Sequence, residues 1–447
     1  MSGFDLPSFV LAGAAVLAAA GSSIAQPYAI VSGRWDNTVA VVDIAKAVDP
    51  ANDGTAKAII SRVRVTPDVD AKGTGVADTP AGGQPVSVAI HPSGKFAYVV
   101  NHSGRATPDA AKAFQHGHPG TVTVVDMAKA TDPSHNGTTG AITTLIDTGG
   151  FGPVAPAFTP DGRHGFVSHA ENEGNEDGGN SIAIVDTATH KVVGKIVQAF
   201  GTPGFPCPTN PVPHTSPDPR MGCFPGANGL AVSPLRGGIL FAGNGGTNDV
   251  SVIDITRALA GDAGAEIARI PVQTGPFGIA ISPDGKLLAT ANREDMQTGI
   301  EGNTVSLIDV EKAAAGDQGA EVARVRIGTD DPKAATRPFG VAFTPDGQRI
   351  VASNFRTNNV SVLDVRKALA GESAEIARVP FSTPTGVPSR PRGIAITADG
   401  RHALITGAPR ARPGSSVLFV LDLTKLEVVS RVTEVGDEAY FLDILQR

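Results

Sequence analysis

Histidine and acidic residues crowd one stretch of this 447-residue chain: His102, His116, His118, His169 and His214, with Glu171, Asn172, Glu173, Glu176 and Asp177. Imidazoles and carboxylates brought together from neighbouring elements would hold a divalent transition metal and leave a position open for water. The candidate ligands are His102, His116, His118, His169 and Glu171. A metal there would polarise a carbonyl while His169 or Glu171 activates water, which is the chemistry of a lactonase-type hydrolase. The oxygens of the acidic run with Asn101 would suit calcium instead. The other reading is that these are polar loop residues facing water.

A second group is cationic and aromatic. Trp35, Arg293, Glu294, Phe339, Arg356, Arg392 and Arg410, with Arg34, Arg412 and Phe277 beside them, would receive a small anion, because guanidinium forks bind carboxylates bidentately. Trp35 is the one tryptophan and offers a stacking surface. Salt bridging between loops is the plainer role for the same charges. Signatures of covalent serine hydrolysis, nucleotide binding, His-Glu-x-x-His zinc sites and haem attachment are absent from the sequence.

The elements that must position these groups are repeated. Thr159-Pro160-Asp161-Gly162, Ser282-Pro283-Asp284-Gly285 and Thr344-Pro345-Asp346-Gly347 each follow a short apolar run and lead into another. A polar loop comes next, then a strand ending in Asp, as in Val305–Asp309 and Val360–Asp364. Each unit reads as four antiparallel strands, A to D, with the Pro-Asp-Gly turn between A and B. Such units cannot bury their own apolar faces, so they stack radially as propeller blades. B–C hairpins begin near Tyr28, Lys95, Arg163, Gly238, Lys286, Gln348 and Arg401, which predicts seven blades. The first hairpin lacks a strand A, and residues 439–444 form an A-like strand with no blade after it. The expected fold is therefore an all-β, seven-bladed propeller whose C-terminal strand joins the N-terminal blade and removes two exposed edges.

Tyr98-Val99-Val100-Asn101, Asn303–Asp309 and Pro276–Gly285 resemble the YVTN-repeat β-propeller family across nearly the whole mature chain. That resemblance implies the seven-bladed fold. It leaves function open among lactonase-like propellers, methylamine dehydrogenase heavy-chain-like propellers and binding proteins. The longest insertions, within 66–83, 103–120, 170–180, 199–227, 294–302, 328–337 and 382–390, all belong to B–C or D–A connections. These emerge on one face, where binding is expected. His91, His135, His164, His190 and His402 fall on the opposite, plain face and are expected to be solvated.

Residues 1–25 read as a signal peptide: an apolar run, Phe9 to Ala20, then Ser23-Ile24-Ala25 ahead of Gln26. The pattern departs from type in carrying Asp5 and no Lys or Arg before the run, and an uncleaved anchor is the other reading. The run is shorter than the roughly 20 residues that span a bilayer. Residues 26–447 form the single propeller domain, periplasmic or secreted, with no membrane span in the mature chain. Cys207 and Cys223 share one Pro-rich insertion, and in an exported chain they are expected to pair as a disulfide. Lys and Arg total 37 against 44 Asp and Glu, and aromatics are only 5%, so nucleic acid is not an expected partner. The expected protein is a monomer that binds a small anionic molecule or a partner protein on its looped face. The alternative is a metal-assisted lactonase with its site at the channel mouth, and a divalent ion is the one cofactor considered.

Overall fold

The computed structural model describes residues 27–65, 83–103, 120–170, 179–201, 224–295, 299–382, 387–409 and 414–445. They form seven antiparallel sheets of four strands each, arranged in a ring. Blade 1 takes strand A from Ala439–Leu445 and strands B to D from Tyr28–Gly33, Thr38–Asp43 and Ile59–Arg64, so chain end and chain start share a sheet. Strands A of blades 2 to 7 are Gly83–Ile90, Pro153–Phe158, Ala227–Ser233, Pro276–Ile281, Pro338–Phe343 and Pro391–Ile396.

Strands B and C carry uninterrupted apolar and small residues because both of their faces pack on neighbouring blades, as in Ile239–Asn244, which is buried throughout. Strands A run so close around the axis that several admit no side chain. A Cβ on Gly278 would lie 2.4 Å from the Phe339 carbonyl oxygen of the next blade, and one on Gly340 would lie 2.3 Å from that of Arg392.

The repeated turn and strand-end residues are structural. Thr159, Ser282, Thr344 and Thr397 donate their hydroxyls to Asp161, Asp284, Asp346 and Asp399 at 2.5–2.7 Å, and the glycine of each turn has φ between +67° and +75°. The Asp that ends strand C caps a short helix in five blades, accepting from Lys46, Lys129, Arg257, Lys312 and Lys367 amides.

One repeat position changes character only in the closing strand. Strand register places Asp443 where the other blades have Ala89, Ala157, Ala231, Ala280, Ala342 and Ala395. Its carboxylate accepts from the Ile90 amide of blade 2 and from the Ile444 amide, each at 2.8 Å. Although the residue keeps some exposure, its carboxyl group is enclosed, and burial pushes its pKa up to about 6.

Two plain-face histidines differ from expectation. The His91 ring stacks on Phe96 at 4.3 Å and its Nε2 lies 2.7 Å from the Gly162 carbonyl of blade 3. His190 Nδ1 lies 3.0 Å from the hydroxyl of buried Tyr98. They join blades 2 and 3 because their rings cover a cluster of Phe96, Tyr98 and Phe158 that needs a lid.

Candidate functional site

Strand register makes Tyr440, Val86, Val154, Asn228, Phe277, Phe339 and Arg392 equivalent, one on each strand A near the looped face. Five of these, all but Phe339 and Arg392, line a cavity of about 350 Å³, together with Arg34, His102, Ala170, Arg293 and Glu294. Its wall thus combines two guanidiniums, an imidazole, a carboxylate and an amide over Phe, Tyr and Val. Concave sites of this size with a few convergent polar groups are the usual form of small-molecule pockets.

Each polar group is held from behind. Arg34, in the B–C turn of blade 1, donates from Nε and Nη2 to Gln84 Oε1 at 3.3 and 3.1 Å, and its Nη1 is 3.9 Å from Glu438. Its guanidinium lies 4.8 Å from the Trp35 ring and 5.5 Å from that of Tyr440. Arg293 lies over Phe277 at 4.6 Å and Phe339 at 5.1 Å, with Glu294 3.8 Å away. Glu294 also accepts from Arg337, whose other nitrogen is 3.1 Å from Glu301. His102 Nδ1 lies 3.1 Å from the Pro153 carbonyl, which can only accept. Nδ1 therefore donates in this contact, and in the neutral form of the ring the lone pair falls on Nε2.

The residues singled out in the sequence separate into three positions. Arg293, Glu294 and His102 line the cavity, and Trp35 stands beside Arg34 at 43% exposure. Phe339 and Arg392 do not line it: both are buried, Phe339 beneath Arg293 and Arg392 bonded to Glu438 at 2.7 Å. Arg356 pairs with Glu301 on the exposed rim. Glu171, His116, His118 and Arg410, and the cysteines Cys207 and Cys223, lie outside the described residues.

His169 is fully buried and donates to or accepts from Ser181 Oγ at 3.0 Å through Nδ1. Four other blades place Asn at this position, bonded across strand C; Asn101, for example, donates to Thr121 and Thr123. In blade 3 the second of those partners is Ala183, and the larger imidazole occupies the space, with Gly150 against its ring. His169 is thus packed inside its blade, and it is not among the described residues that line the cavity. Among the described residues no group of three His, Cys, Asp or Glu side chains is arranged to hold a metal. No helix among them is long and apolar enough to cross a membrane.

Sequence reasoning missed Gln84 and Glu438, the groups that orient Arg34. Both occupy the same register position at the start of a strand A, and that shared position was the signal available.

No protein-family model matches the sequence, and no curated protein matches it. Solved structures do share its fold. A periplasmic gluconolactonase of Pseudomonas aeruginosa is 17% identical, with a TM-score of 0.61 over 94% of this chain and 99% of that one. A putative 6-phosphogluconolactonase from Bacteroides fragilis is 15% identical, with a TM-score of 0.59 over 95% and 99%. Hydrazine synthase of Kuenenia stuttgartiensis is 21% identical, with a TM-score of 0.52 over 78% and 80%.

Proposed function

We propose that this chain is an exported propeller that binds a small carboxylate, of the size and polarity of a sugar acid, in the channel-mouth cavity. The observation that carries the reading is the pairing of Arg34 and Arg293 on one cavity with an aromatic floor. Both guanidiniums are stacked and braced before any ligand arrives, so little ordering cost remains on binding. His102, Glu294 and Asn228 supply the acceptors and donors that hydroxyl groups need. The export half of the reading rests on residues 1–25 and is supported by the periplasmic source of one structural neighbour. Titration calorimetry with D-gluconate tests it. Arg293→Ala is expected to weaken affinity by about 1.5–3 kcal/mol, the worth of a charged hydrogen bond. No binding by the wild-type chain would overturn it.

Lactone hydrolysis is the second reading, favoured by the gluconolactonase names of the structural neighbours and by His102 and Glu294 sharing one cavity. His102 Nε2 would take a proton from water or hold a divalent ion that polarises the lactone carbonyl. Hydrolysis of glucono-δ-lactone above the spontaneous rate, abolished in His102→Ala, is the expected result under this reading. Sensitivity to chelator separates the metal-assisted route from the metal-free one.

A further inference from the structure

A repeated backbone feature at the mouth carries a further inference, and it rests on the reading of that cavity as an anion site. The residue just before the first A–B pair is equivalent in six blades, and in blade 2 its counterpart precedes the Pro85–Asn101 pair. In blades 3, 4 and 5 it is Gly152, Gly226 and Gly275; in blades 6, 7, 1 and 2 it is Arg337, Arg390, Glu438 and Gln84. Gly152 and Gly226 have φ of 54° and 62°, a left-handed conformation that glycine adopts without steric cost. Arg337, Arg390, Glu438 and Gln84 are forced into the same region, at φ of 52°, 46°, 53° and 62°. A Cβ makes that conformation costly, and a following proline, as after Arg337, Arg390 and Gln84, crowds it further. The fold would be served by glycine at all of these positions, since two blades use it that way.

The four strained residues are consecutive around the ring, and three of the side chains, Gln84, Glu438 and Arg337, reach a residue that lines the cavity. Gln84 accepts from Arg34, Glu438 accepts from Arg392 and stands near Arg34, Arg337 joins Glu294 to Glu301, and Arg390 lies 5.6 Å from the Phe355 ring. Strained non-glycine residues persist where the side chain is needed. We propose that Gln84, which stands behind the cavity wall, is the positioning residue for Arg34 in the anion site. Gln84 isolates the role from folding. Among the described residues its side chain bonds to Arg34, while its amide, which donates to Asn37 Oδ1 at 2.9 Å, remains when the side chain is removed. Glu438 does not isolate it, because Arg392 is buried against it.

The test is Gln84→Gly in the full chain, with melting temperature and D-gluconate affinity measured side by side. Relief of the left-handed strain is expected to leave the melting temperature unchanged or raise it. Loss of the brace on Arg34 is expected to weaken Kd by about tenfold. Gln84→Asn, which tolerates the backbone but does not reach Arg34, should weaken Kd to the same degree. A lower melting temperature in Gln84→Gly overturns the inference whatever the affinity, because the side chain then serves the fold. An unchanged Kd overturns it while leaving the anion site standing. A wild-type chain that does not bind gluconate removes the anion site and this inference with it.

Discussion

Replacing Asp443 with Ala gives the closing strand the residue that six blades already use, so the variant is expected to fold. Its stability should then differ from wild type in a pH-dependent way. Burial raises the Asp443 pKa from 3.8 to about 6 in the folded chain. A raised carboxyl pKa contributes stability that is fully present below the unfolded value and is lost as pH rises through the folded one. Between pH 7.5 and 5 the folded protein takes up this proton and the unfolded chain does not. The gain is about 1.4 kcal/mol, given 1.36 kcal/mol per pKa unit. Asp36, also raised to about 6 by burial, adds its own increment, but it is present in both proteins and cancels in the comparison. Urea unfolding followed by circular dichroism at pH 5, 6 and 7.5 measures the difference. Wild type should gain on the variant by about 1.4 kcal/mol as pH falls across that window. Parallel pH profiles for the two proteins would mean that Asp443 titrates as an ordinary surface carboxylate, and the enclosure argument would fail.

Glu438→Ala should destabilise the protein by about 3–5 kcal/mol, since it leaves the buried Arg392 guanidinium without its carboxylate; a loss under 1 kcal/mol in chemical denaturation would contradict this. His169→Asn introduces the residue that four other blades use and should cost only about 1–2 kcal/mol for the space it opens. Gluconate affinity should be retained in that variant, and abolished lactone hydrolysis would instead return His169 to the site.

The blade count and the closing strand were legible because the blades repeat local instructions: a strand-end Asp in all seven, and an A–B turn built on Asp-Gly in four. Asp309 and Asp364 proved to be helix caps, a role that depends only on neighbours three residues away. The looped face was legible for a similar reason, since insertion length shows in one dimension. The cavity was legible in part. Arg293, Glu294 and His102 stand at strand B ends, whose direction the repeat fixes. Arg392 was not, because its burial depends on Glu438, 46 residues away. The same holds for His91 and Gly162, 71 residues apart. Pairs of that kind become visible only when strand register sets blade against blade.

The sharing of blade 1 between chain start and chain end has a consequence for how the protein is made. Tyr28–Gly33 meets its strand A partner only after Ala439–Leu445 has been synthesised, and Ser32 bonds to Phe441 across 409 positions. Until then the edge of the first hairpin lies bare, and Arg392 waits for Glu438. Blades 2 to 7 draw all four strands from contiguous stretches and can assemble as they emerge. A chain that stops before Ala439 therefore leaves an open arc with two adhesive edges. Tyr440 and Glu438 belong to that same final segment, so a chain that has not closed also lacks part of its pocket. Docking of the closing strand thus completes the ring and the cavity wall in one step.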